Sequence, residues 1–185
     1  MKAGYIMTPA RTRRKRFFCC LISGILLIVL NSTLFGLTPP QYEDPEDLVR
    51  ELYQKVSFEA GSTPNWDEVK SMFIDQAVIT LRTSRTAMSI FTLEGFVGDF
   101  VAFIERAKAE EIGFQEKVLA LQKTIFGETA NFQVLYSAQL MQGNRPPTKG
   151  IDNFLLIKLG DGWKIAAITN EIVTPDRPIP AGLQH

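Results

Sequence analysis

At 185 residues the chain has room for one domain of ordinary size plus an appendage, and not for two full domains. Its 20 basic residues balance its 20 acidic ones, yet six of the basic residues (Lys2, Arg11, Arg13, Arg14, Lys15, Arg16) precede the first acid, Glu43, which leaves 14 against 20 from there on, a net of −6. An acidic domain repels phosphate backbones, which argues against nucleic-acid binding; the lone histidine is the last residue, His185, and both cysteines, Cys19 and Cys20, sit in the N-terminal run, so no histidine triad, disulfide staple, metal or cofactor site is expected in the globular part.

The chain opens with a basic cluster, Arg11 to Arg16, followed by an apolar run from Phe17 to Leu30 that resumes after Asn31-Ser32-Thr33 as Leu34-Phe35-Gly36-Leu37. Basic, then greasy, then polar is the order of a secretory signal peptide. The run through Leu37 is also long enough for one membrane helix, since about 20 residues span a bilayer. Residues 1–37 are therefore expected to be a cleaved signal or a retained anchor. In both cases the positive-inside rule leaves the basic stretch in the cytoplasm and carries the globular part across the membrane.

Residues 38–44 form a linker around Pro39-Pro40, whose fixed φ angles keep the chain extended. Asp44-Pro45-Glu46-Asp47 then supplies an N-cap, a proline at the first helical position and acids in the first turn, and Leu48, Val49, Leu52, Tyr53 and Val56 recur on one face. The first helix is expected to run to about Ala60, ended by Gly61. A second short helix, capped by Thr63 or Asn65, carries Trp66, Val69, Met72 and Phe73 and ends near Asp75. Val78-Ile79-Thr80-Leu81 and Met88-Ser89-Ile90-Phe91 read as two short strands or one irregular one. Thr92 caps a third helix with the stripe Phe96, Val97, Phe100, Val101 and Ile104, a solvated charged tail from Glu105 to Glu111, and a stop at Gly113.

The rest is β. Glu116–Phe126, Ala130–Leu140, Ile151–Leu159 and Trp163–Ile172 are strand-length runs separated by turn residues, which predicts an antiparallel meander. Strict alternation would place Trp163, Ile165 and Ala167 on one face and Lys164, Ala166 and Ile168 on the other. Both faces are partly apolar, so the outer one is expected to be covered by a second copy of the chain. The tail, 174–185, carries three prolines and should run over the surface.

This order of elements, together with Gly150-Ile151-Asp152-Asn153-Phe154 through Gly162-Trp163-Lys164-Ile165 and the junction Phe73-Ile74-Asp75-Gln76-Ala77-Val78, resembles the nuclear transport factor 2-like (SnoaL-like) superfamily over about residues 45–173. The resemblance implies an α+β fold in which a curved antiparallel sheet wraps three N-terminal helices into a cone, often with an internal pocket and often dimeric through the sheet. Laid on the ketosteroid isomerases of that superfamily, Asp152 matches the oxyanion-holding acid and Tyr53 falls within one residue of the helical tyrosine that assists it. Leu81, however, stands where the proton-abstracting carboxylate belongs. Leucine accepts no proton, so that chemistry is not expected.

Tyr53, Arg82 and Asp152 are the pocket candidates, and no catalytic residue is assigned. Arg82, Asp99 and Asp152 also resemble the Arg/Asp set of epoxide-hydrolysing relatives without the motif that joins them. The plainer reading of Asp152 is a strand acid satisfied by backbone or by Arg82, of Trp163 a sheet-packing aromatic, and of Phe96, Phe100 and Phe103 core. Such a fold hosts many activities. The residues point to an exported or anchored domain that binds a small apolar ligand or mediates oligomerisation, with a SnoaL-like isomerase, cyclase or hydrolase as the alternative. Convergence of Tyr53, Arg82 and Asp152 in one cavity would favour the enzyme, and a packed cone the adaptor.

Overall fold

The first helix begins where Asp44 leaves helical geometry and its carboxylate accepts a 2.8 Å bond from the Glu46 amide, satisfying one of the amide groups a helix start leaves free. In the computed structural model, which describes residues 41–184 except Arg85, Asn144 and Asp161, this helix (α1) spans Pro45–Lys55. The signal or anchor segment, Pro39-Pro40 and His185 lie outside the described residues. Helix α1 stops five residues earlier than its periodicity predicts. The Ser57 hydroxyl donates to the Tyr53 carbonyl (2.6 Å) and accepts from the Glu116 amide (2.8 Å), while Phe58 and Phe114 exchange backbone bonds of 2.8 and 2.9 Å. Tertiary pairing with a strand thus takes the chain that local periodicity would have kept helical.

Helix α2 (Trp66–Ser71), capped by Asn65, gives way to strand β1 (Phe73–Arg82), so that Phe73 to Asp75 are strand and not helix. Strand β2 (Met88–Thr92) returns antiparallel along β1. Thr92 then caps α3 (Leu93–Ala107) through a 3.2 Å bond from the Gly95 amide. The charged tail is not one helix: Lys108 takes a left-handed φ of 51° and splits off α4 (Ala109–Ile112), making four α-helices among the described residues where three are predicted.

Strands β3 (Phe114–Phe126), β4 (Thr129–Leu140), β5 (Thr148–Leu159) and β6 (Gly162–Ile172) form the expected antiparallel meander. The sheet is not antiparallel throughout. Its order is β2-β1-β6-β5-β4-β3, with β1 lying parallel to β6. A parallel neighbour needs a long crossover, here everything from β2 to β5. The curved six-stranded sheet buries Phe132, Val134, Phe154, Leu156, Trp163, Ile165 and Ile79 against Leu48, Val49, Leu52 and Val69 of the helices.

Strict alternation in β6 also fails, for an identifiable reason. Leu156 pairs with Ile165 and Leu155 with Ala167, so the register slips by one residue at Ala166. This bulge returns Ile168 and Asn170 to the same buried face as Trp163 and Ile165, whereas unbroken alternation puts Ile168 outside. Among the described residues no helix is long and apolar enough to cross a membrane.

Candidate functional site

Three segments far apart in sequence deliver polar side chains to the concave face. Tyr53 comes from the last turns of α1, Asp152 from β5, and Asn170 from the position on β6 directly opposite Asp152. The Tyr53 hydroxyl donates to Asp152 Oδ2 at 2.6 Å, and the Asn170 amide donates to Asp152 Oδ1 at 2.7 Å and to the Tyr136 hydroxyl at 2.8 Å. The β6 bulge is what turns Asn170 inward to complete this chain of bonds. Gly150 pairs with Tyr136 across β4 and β5, and a Cβ there would run into the Tyr136 ring and hydroxyl, so only glycine lets the ring lie over the strand.

These groups line a cavity of about 220 Å³ whose other walls include Leu52, Leu81, Phe96, Phe100, Phe154 and Ile168. A second carboxyl, Glu116 of β3, also lines it. Loss of bulk water in this apolar setting pushes the Glu116 carboxyl up to about 8, and the neighbouring negative charge of Asp152 adds to the shift. Burial likewise raises Asp152 to about 6, held there against a larger rise by the bonds from Tyr53 and Asn170. The two phenols, Tyr53 and Tyr136, are pushed above their ordinary range by burial and by Asp152, so both stay protonated, Tyr53 donating to Asp152 and Tyr136 accepting from the Asn170 amide. The pair of carboxyls therefore brackets neutral pH, which is where a group must titrate to exchange protons in ordinary buffer.

All three predicted pocket residues, Tyr53, Arg82 and Asp152, line this one cavity, as does Leu81. The expectation that Asp152 is satisfied by backbone or by Arg82 is corrected. Arg82 instead forms a two-point ion pair with Glu171 (2.9 and 2.6 Å), which Arg177 also contacts at 2.9 Å. Its charge is spent on the strand neighbouring its own, where Glu171 is the closer acid. Phe96 and Phe100 pack on Phe73, Trp66 and Phe114 as core aromatics while also walling the cavity.

Sequence reading misses Glu116, Tyr136 and Asn170. A signal for Glu116 exists, because it shares the inward period of Phe114 and Val118 and is thus an acid in an apolar row. Asn170 carries no such signal, since its face depends on the bulge. Among the described residues no cluster of three or more Cys, His, Asp or Glu side chains suits a metal ion.

No protein-family model matches this chain, and no curated protein is significantly similar in sequence. Solved structures do match. A Nostoc punctiforme protein of unknown function with a cystatin-like fold aligns with a TM-score of 0.55 at 8% identity, covering 70% of this chain and 89% of that one. An NTF2-like protein with a cystatin-like fold from Novosphingobium aromaticivorans aligns at 0.54 and 12% identity over 71% and 85% of the two chains. The fold is nuclear transport factor 2-like. A further Nostoc punctiforme domain of unknown function with a cystatin-like fold matches at 0.51 and 12% identity, covering 71% and 80%. At such identities the likeness concerns the NTF2-like fold alone, and the chemistry must be argued from this chain's own cavity.

Proposed function

We propose that the domain is a binding module, held on the far side of a membrane from the basic N-terminus, whose cavity takes a small, mostly apolar molecule with one polar group directed at Asp152 and Glu116. The observation that carries the reading is the pairing of an aromatic and aliphatic cavity with two carboxyls that no arginine or lysine among the described residues neutralises, Arg82 being committed to Glu171. Ligand sites are mostly apolar with a few converging polar groups that fix orientation. Glu116 is half-buried among apolar cavity walls, and desolvation there holds its carboxyl well above the usual carboxylate range. The basic-then-apolar order of residues 11–37 supports export or anchoring. A contiguous apolar row on the outer sheet face supports a homodimer: Val78, Ala167 and Leu155 are paired neighbours across β1, β6 and β5, with Ile90 beside them.

A second reading, an acid–base enzyme acting on a small carbonyl compound or epoxide, is favoured by the convergence of Tyr53, Arg82 and Asp152 and by the staggered titration of Asp152 and Glu116. Against it, Leu81 offers no base at the position the isomerases use. Native mass spectrometry of the purified full chain tests the first reading: a co-purifying small molecule that Asp152→Asn releases is the expected result. Turnover of ketosteroids, small ketones or epoxides that disappears in Glu116→Gln and Asp152→Asn, with unchanged melting temperature, would promote the enzyme and sink the pure binding module.

A further inference from the structure

Two hairpins meet at the end of the sheet away from Asn170. The β3–β4 turn at Gly127 and the β5–β6 turn before Gly162 lie side by side, joined by a 2.9 Å bond from the Lys158 amide to the Glu128 carbonyl. Their tips are apolar where water-facing turns are ordinarily polar. Phe126 is 86% exposed, Leu159 54% and Ile125 46%. Phe126 and Leu159 fall in the outward phase of their strands, and Ile125, in the row of Ala130 and Leu156, stays exposed on the edge strand β3. Three apolar side chains exposed together on two adjoining hairpin tips form the kind of patch that marks a contact surface.

The chain enters the domain at this same end. The Trp163 amide donates to the Tyr42 carbonyl at 2.9 Å, and Gln41 lies against Gly162. Ile125, Lys158 and Trp163 share a shallow depression with Glu43, Asp44 and Pro45. From Gln41 back to Leu37, the last residue of the apolar run, are four backbone steps, at most about 14 Å of extended chain. If the run is held in a bilayer, the tether keeps this end of the sheet within reach of its surface.

We infer that Phe126, Leu159 and Ile125 rest in the interfacial layer of the membrane that holds the chain's own apolar run, so that the domain stands on its hairpin tips with Tyr53, Asp152 and Asn170 facing away. This rests on the retained-anchor form of the reading above. Aromatic and leucine side chains are the ones that settle at the headgroup boundary. Glu43, Asp44 and Glu128 around the tips make the contact apolar and not a charge attraction, so it should persist with zwitterionic lipid and high salt.

The test reconstitutes the full chain in phosphatidylcholine vesicles with or without brominated acyl chains and compares Phe126→Trp with Thr86→Trp, which sits in the β1–β2 connection at the other end of the sheet. Emission added by the tryptophan at 126 is expected to be quenched about twofold or more by brominated chains, as burial at the headgroup and acyl boundary requires, and that added at 86 not at all. Leu159→Trp provides the same readout should the first variant fold poorly. A chain that floats with the vesicles but whose 126 and 159 tryptophans go unquenched overturns the tip contact and leaves the anchor standing. A blue shift without quenching assigns the tips to a second protein copy and overturns it too. Failure to float at all removes both the anchor and the contact.

Discussion

The hydroxyl of Tyr53 donates a 2.6 Å hydrogen bond to Asp152, ninety-nine residues away in sequence, and so locks the end of α1 to the middle of the sheet inside a mostly apolar cavity. The bond has two consequences: it fixes α1 at the depth that leaves the cavity open, and it favours the ionised form of Asp152 against the burial that opposes it. Tyr53→Phe removes both. The Asp152 carboxyl is expected to titrate above about 6, followed by carbon-detected NMR, and the domain to lose about 1 kcal/mol, as for a buried hydrogen bond whose partner keeps one donor, Asn170.

Stability should fall as pH rises from about 4 to about 8. Glu116 and Asp152 both hold their protons more tightly folded than unfolded, so the folded state binds more protons in the window between their ordinary values and about 8 and 6. The stability tied to those protons is complete below about pH 4, and is lost as pH climbs first through the value of Asp152 and then through that of Glu116. Between pH 5 and pH 9 the loss should be on the order of 1–3 kcal/mol by urea unfolding, and most of it should vanish in Glu116→Gln. A pH-independent wild type would show that Glu116 has access to water.

Gly150→Ala drives a methyl group into the Tyr136 ring. Overpacking of this kind typically costs 1–3 kcal/mol, so a loss of about 2 kcal/mol is expected. The displaced ring should also break the bond between Asn170 and the Tyr136 hydroxyl. Double substitution with Tyr136→Phe tests the link: the two losses should be less than additive, because they act on one contact.

The outer-face row predicts self-association. Sedimentation equilibrium of the purified chain at micromolar concentration should show a dimer, and Leu155→Glu or Val78→Glu should yield monomer without lowering the melting temperature of the monomeric domain. A wild-type monomer under those conditions would leave the row of Val78, Ala167 and Leu155 without a partner.

Arg82→Ala should be a mild variant. The pair with Glu171 has ideal two-point geometry but stands at the edge of the cavity, where exposed pairs contribute about 1 kcal/mol or less and fade with salt. If Arg82 instead gripped a ligand, the variant would abolish binding while barely changing stability, and the comparison by thermal melts and native mass spectrometry separates the two roles.

How far the sequence discloses these features depends on how local their causes are. The caps at Asp44, Asn65 and Thr92 act within three residues, and each is legible as a polar residue before an apolar period. The meander is legible because alternation and turn residues recur along contiguous chain. What is hidden needs a second segment: the early end of α1 is decided by β3, the inward turn of Asn170 by a bulge against β5, and the partner of Arg82 by a parallel strand nearly ninety residues later. The cavity lies in between. Tyr53 and Asp152 are readable through resemblance, whereas Glu116 hides in a run of mixed polarity where only its inward phase betrays it.

Strand β6 lies between β1 and β5, so the last strand to be synthesised is the one that joins the two parts of the sheet. A chain still growing at Leu159 can form the β1–β2 pair and the β3–β5 meander, but it has nothing to hydrogen-bond one to the other. Contacts spanning some ninety residues close late and slowly. Folding of the sheet therefore waits until β6 is present, and a premature stop before that strand gives two apolar half-sheets with open edges, material for proteolysis and aggregation and not a smaller working domain.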